Sequence, residues 1–314
     1  MPPDQAKPHH PRIGLALGSG AARGWAHIGI IEGLLDAGIE PTVVCGSSMG
    51  ALVGAAYVAD RLTALHDWAE TVSWRGIVGL LDVRLSGGGL IDGKQIAAFL
   101  RSLHISAPIE SYPKKFAAIA TDLVTGREVW LQTGPIDRAV RASIAMPGII
   151  RPAEHEGEWL LDGGLVNPVP VSTCRALGAD VIIAVNVNGE LLARRFDKKP
   201  LSHSGKTAKR IPNEFFSQLV AQMPDGVKQQ IALLAPKLLQ PEARAPGYFQ
   251  VIATAINIMQ DHITRTRLAG EPPHVLLVPR MGKIGLLDFN RAKEAIAEGR
   301  ACVERALPLL REFL

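Results

Sequence analysis

Apolar residues open the ordered part of the chain as a short run at 12–17 (RIGLAL) and then change period. Trp25, Ile28, Ile31 and Leu35 recur at helical spacing, which predicts an amphipathic helix with those four inward. Gly38 and, just beyond it, Pro41 mark where that helix stops. A second apolar run at 42–45 leads through a turn at 46–50 into a small-residue helix at 51–59. Strand, helix, strand, helix in this order predicts an α/β fold built on a parallel sheet. Further strands are expected at 116–121, 128–132, 181–187 and 275–278, with Thr125-Gly126 folding the 116–132 stretch into a hairpin. The expected sheet is therefore mostly parallel but mixed, flanked by helices. Helical stretches fall at 93–102, 171–177 and 290–313, the last with Ala292, Ile296, Cys302 and Leu307 inward.

The pattern changes between 190 and 247. Arg194, Arg195, Lys198, Lys199, Lys206, Lys209 and Arg210 crowd together, followed by Phe215, Phe216, Leu219, Val220 and Met223 at helical spacing. A solvated loop is the simpler account of the charges. A basic stretch ahead of an amphipathic helix also suits a lid or a peripheral contact with an anionic membrane surface. The expected organisation is a disordered tail at 1–11 and a single domain at 12–314 carrying this insertion.

Composition narrows the function. The chain has 314 residues, 47% hydrophobic and only 5% aromatic, with a net charge of +4. That is ample for a large core and too weakly basic to point to nucleic acid. Cys45, Cys174 and Cys302 lie too far apart for a local metal or redox motif. No apolar run is long enough for a membrane span, and no signal peptide is recognisable. A cytoplasmic protein, with peripheral membrane contact at most, is expected. No cofactor or metal is called for.

Three short motifs carry chemistry. Gly46-Ser47-Ser48-Met49-Gly50 is a G-x-S-x-G pentapeptide between a strand and a helix, the setting of a nucleophile elbow. Gly46 and Gly50 let strand and helix approach, and Ser48 takes the strained apex. Gly18-Ser19-Gly20-Ala21-Ala22-Arg23-Gly24 follows a strand and opens a helix, so its amides can hold an anion. That anion is either an acyl-transfer oxyanion or a nucleotide pyrophosphate. The glycine spacing is one residue longer than the dinucleotide fingerprint, and no acidic residue closes the second strand. Asp162-Gly163-Gly164 emerges from an apolar segment and is either a plain turn or the base a serine nucleophile needs. Among nine histidines, His155 and His274 are the alternative bases.

Together and in this order, the three motifs resemble the patatin-like phospholipase family. The likeness extends to the segment 142–148 (ASIAMPG) and to the tail 288–292 (DFNRA), which resembles the bacterial RssA-like subgroup, as does the wording of 18–29. The resemblance implies a three-layer sandwich and hydrolysis of lipid acyl esters by a Ser48–Asp162 dyad through an acyl-enzyme. It implies an oxyanion hole of Gly20, Ala21 and Ala22 main-chain N–H groups, with Arg23 adding charge or bracing the loop. Gly18, Gly24, Gly46, Gly50, Gly163 and Gly164 are supporting positions. The family loop reads G-G-G-x-R-G; Ser19 and Ala21 stand here for two of its glycines, and Ala21 resists a positive φ. Two other outcomes are weighed: a nucleotide-binding protein using 18–24, and a non-catalytic regulatory protein that docks a partner on 190–247.

Overall fold

The structure, a computed structural model, describes residues 11–72, 92–190 and 248–313. The expectations for 194–223 lie outside the described residues.

Strands β1 (Ile13–Leu17), β2 (Val43–Ser47), β3 (Lys115–Asp122), β4 (Glu128–Leu131), β5 (Ala153–His155), β6 (Glu158–Asp162), β7 (Val181–Val185) and β8 (Val275–Leu277) form one sheet. Its order is β5-β6-β3-β2-β1-β7-β8, with β4 also paired to β3. The stretch β3-β2-β1-β7-β8 is parallel; β4, β5 and β6 pair antiparallel. The mixed sheet and the 116–132 hairpin match the sequence expectation.

Helices cover both faces, which makes a three-layer sandwich. They are α1 (Ala26–Asp36), α2 (Met49–Val58), α3 (Leu62–Thr71), α4 (Lys94–Ser102), α5 (Ile136–Ser143), α6 (Val171–Ala176), α7 (Tyr248–Gly270) and α8 (Ala292–Leu310). Alternate strand residues serve two cores. Leu15, Leu17, Val44, Ala118, Ile183 and Val185 join the larger core with α1, α2, α5 and α8. Ala16, Val43, Cys45, Ala117, Ile182 and Ala184 join the smaller one with α6 and Leu268 of α7. Burial on both faces explains why β1, β2 and β7 read as unbroken apolar runs.

One expectation needs correction. Leu35, one residue before the end of α1, is 39% exposed, whereas Trp25, Ile28 and Ile31 are buried. Ala292, Ile296 and Cys302 are in the core and Leu307, half-buried, packs against it, as expected. The β5–β6 hairpin, α3, α5 and the 23-residue α7 carried no expectation.

Candidate active site

β3 is the rail on which the site is assembled. At Ala118 and Ile119 it pairs with both β2 and β4, so those two strands lie on opposite edges. At Ala120 and Thr121 it pairs with both β4 and β6, so β6 shares the edge of β2. β2 and β6 run in opposite directions and meet end to end: Ser47 pairs with Ile119, and Asp162 pairs with Ala120. The residue after β2 therefore faces the last residue of β6. Ser48 Oγ donates to Asp162 Oδ2 across 2.6 Å.

Ser48 sits at φ 56°, ψ −121°, a left-handed backbone between β2 and α2. Close approach makes this turn possible. A Cβ on Gly46 would lie 2.4 Å from Ala51 N, and one on Gly50 would lie 2.1 Å from the Leu17 carbonyl oxygen. The Ser48 N–H donates to Ser143 Oγ at 2.9 Å, and the Ser48 carbonyl accepts from Ala51 and Leu52. Such contacts hold in place a conformation that costs on the order of 1–3 kcal/mol.

Asp162 is 1% exposed. Its Oδ1 accepts the Gly164 N–H at 2.7 Å, and its own N–H donates to the Ala145 carbonyl at 2.9 Å. Burial pushes the carboxyl up to about 6, against the opposing effect of the hydrogen bonds from Ser48 and Gly164. Gly163 lets this turn press on the sheet, since a Cβ there would lie 2.2 Å from the Ile119 carbonyl oxygen. Neither histidine alternative reaches the pair. His274 Nδ1 accepts from Ile182 N at the beginning of β7, the end of the sheet away from Ser48. His155 lies in the β5–β6 hairpin opposite Glu158.

The loop after β1 is tied down on several sides. Gly18 N donates to the Val185 carbonyl, Ser19 N to that of Pro168 and Ala22 N to that of Leu286. Among the described residues the amides of Gly20 and Ala21 have no acceptor, and both residues line a cavity with Ser48. Of the three amides expected to hold an oxyanion, that of Ala22 is already engaged by the Leu286 carbonyl, which leaves those of Gly20 and Ala21 open. Arg23 is buried and braces the loop: Nε donates to the Ile284 carbonyl at 2.8 Å and Nη1 to Asn188 Oδ1 at 2.9 Å. Burial lowers its guanidinium to about 10, with Asp288 opposing. A Cβ on Gly24 would lie 2.4 Å from the Met49 Cβ, so the loop packs directly on the elbow helix.

Four further residues shape the site without having been singled out for it from sequence. Ser143 holds the Ser48 amide. Asn188 holds the Ser19 carbonyl through Nδ2 at 3.0 Å. Gln260, on α7, accepts from Ser19 Oγ at 3.1 Å. His27, fully buried, has Nε2 2.7 Å from the Gly18 carbonyl oxygen and so carries its proton there. Burial lowers His27 to about 4, which keeps it neutral at pH 7. Only the ASIAMPG wording around Ser143 gave a signal.

A strained serine at the carboxyl edge of a doubly covered α/β sheet, bonded to a buried carboxylate beside two open amides, is an arrangement of the serine-hydrolase class. The chain belongs to the patatin-like phospholipase family, whose sequence pattern matches residues 15–175. It is 34% identical over 338 aligned positions to an uncharacterized NTE family protein of Mycobacterium tuberculosis (strain H37Rv), covering 95% of this chain and 91% of that one. A second uncharacterized NTE family protein of the same strain is 27% identical over 302 positions, covering 94% of this chain and 46% of the other. Lysophospholipase nte1 of Aspergillus fumigatus is 33% identical over 180 positions, 56% of this chain and 12% of that protein. The solved structure of VipD from Legionella pneumophila aligns with a TM-score of 0.42 at 12% identity, covering 98% of this chain and 68% of that one.

Proposed function

We propose that this protein hydrolyses carboxylic esters, with lipid acyl esters as the substrate class, through Ser48 and Asp162. Asp162 Oδ2 accepts the proton as Ser48 Oγ attacks the ester carbonyl carbon. The amides of Gly20 and Ala21 then hold the oxygen that becomes negative. The C–O bond to the alcohol breaks, Asp162 returns its proton to the departing alkoxide, and the acyl group stays on Ser48. Water, deprotonated by Asp162, attacks the acyl carbonyl; the bond to Ser48 Oγ breaks, Asp162 returns the proton to Ser48, and the acid leaves. The 2.6 Å contact between a φ-positive serine and a buried carboxyl held near 6 carries this proposal. A base with that pKa is ionised at pH 7 yet still takes up a proton readily. The lipid class rests on the family and on the name of the fungal relative. We also place the chain with the RssA-like members on the wording of 18–29 and 288–292.

The test is labelling by a fluorophosphonate together with turnover of p-nitrophenyl esters. Ser48→Ala is expected to lose both, and Asp162→Asn to lose at least 1,000-fold in kcat/KM, about 4 kcal/mol of transition-state stabilisation. Undiminished turnover in Ser48→Ala would overturn the proposal.

A further inference from the structure

α7 is a roof over the catalytic pair. Ile256, Asn257 and Gln260 from this helix close a cavity with Ser48, Met146 and Leu286, and the cavity holds only about 10 Å³. That is space for about one water-sized sphere, whereas sites for small organic ligands run to about 300–1,000 Å³. With α7 in this position the cavity beside Ser48 is too small to hold an acyl group.

The two halves of α7 are held differently. The C-terminal half is anchored: Arg267 Nη2 bonds Glu128 Oε2 at 2.9 Å, and Leu268 packs on the smaller core. Toward the N-terminal half, Val251, Ile258 and Met259 are 44–50% exposed, and Ile256 turns inward. Between the halves sits Gln260, 5% exposed, whose Oε1 accepts from Ser19 Oγ. Its Nε2 fills the space that a Cβ on Gly164 would occupy, 2.4 Å away. A buried bond thus joins the roof helix to the anion loop at the catalytic turn. Its donor is the hydroxyl of Ser19, where the family loop has glycine.

We infer that the Ser19–Gln260 pair is a specificity-determining latch that holds α7 closed over Ser48 and sets how readily a long acyl chain is admitted. Opening it lets the N-terminal half of α7 swing on its anchored C-terminal half, so that Met146, Ile256 and Leu286 become the apolar walls of an acyl site. This inference rests on the ester-hydrolase proposal for its substrate, but the latch itself is a property of the helix.

When the competent form is a minor population, raising that population lowers KM and leaves kcat in place. A buried neutral hydrogen bond corresponds to roughly a five- to tenfold change in such an equilibrium. Ser19→Gly and Gln260→Ala are each expected to lower KM for a long-chain p-nitrophenyl ester by that factor with kcat kept. Both are expected to label with a fluorophosphonate correspondingly faster, and the double variant to gain no more than either alone. Hydrogen exchange at 254–264, measured in a Ser48→Ala background, is expected to quicken in the same variants without any chemistry. Unchanged labelling and exchange, or a raised KM, would overturn the latch. Faster exchange with no labelling of any form would instead overturn the ester-hydrolase proposal and leave the latch standing.

Discussion

Asp162 carries the pH dependence of the site. His27 is held neutral by burial and Arg23 stays charged to about 10, so of these three only Asp162 titrates near neutrality. In the proposed reaction its carboxylate is the form that accepts the Ser48 proton. kcat/KM is therefore expected to fall tenfold per unit as pH drops below about 6 and to level off above it. Stability runs the other way. The folded pKa lies above the ordinary 3.8, so the fold binds this proton more tightly than the unfolded chain does. Its contribution is complete below 3.8, is lost as pH rises through 6, and is flat beyond. A shift of about two units corresponds to on the order of 3 kcal/mol. Asparagine at this position keeps an acceptor for Gly164 and carries no charge. Asp162→Asn is expected to be inactive yet more stable than the native protein above pH 6, with the difference opening between pH 4 and 6. Urea midpoints of both proteins across that range are the measurement; parallel curves would show that the buried carboxylate costs the fold nothing.

The anion loop is the element in which sequence and geometry disagree most usefully. Ala21 stands in place of a glycine and nevertheless adopts φ 46°. The strain of an L-residue there is about 1–2 kcal/mol, and the ties from Ser19 and Ala22 to neighbouring carbonyls hold it in place. Ala21→Gly removes the strain and adds about 0.5–1 kcal/mol of backbone entropy loss. The variant is expected to gain up to about 1 kcal/mol in chemical denaturation with turnover retained; a loss of stability would mean that the Ala21 methyl packs better than its backbone suffers. The elbow and the D-G-G turn were legible beforehand because a close approach demands glycine at fixed offsets, and that demand is local. The β5–β6 hairpin was not, since its strands have 3 and 5 residues and polar sequence between them. Ser143 and Gln260 were illegible for another reason. A single polar residue in a helix has no periodic signature, and these two reach the site across 95 and 241 positions of chain. Only the folded sheet brings such partners together.

At the scale of the whole molecule, the C-terminus clamps the N-terminal loop. Among the described residues, the segment before α8 supplies three carbonyls to the loop and the turn after it. Leu286 accepts from Ala22 N, Ile284 from Arg23 Nε, and Phe289 from Trp25 Nε1 at 3.1 Å. α8 then crosses α1 at contact distance. A Cβ on Gly299 would lie 2.2 Å from the Ala26 carbonyl oxygen, and one on Gly29 would lie 1.9 Å from that of Ile296. Arg300 also bridges Glu32 and Asp36 of α1 at 2.8 and 2.6 Å. These ion pairs are half-exposed on the arginine side, and such pairs contribute at most about 1 kcal/mol. The crossing itself dominates, because backbone meets backbone there and neither helix can yield without moving the other. Gly299→Val is accordingly expected to cost about 1–3 kcal/mol and to lower kcat/KM even at temperatures where the protein stays folded. The displaced helix takes the three carbonyls with it, and the Gly20 and Ala21 amides lose their fixed aim. Gly270→Ala is the control: an added Cβ there meets nothing within 4 Å, so midpoint and turnover should both hold. If Gly299→Val keeps native activity while losing stability, the loop keeps its own shape and the C-terminal helix serves the fold alone.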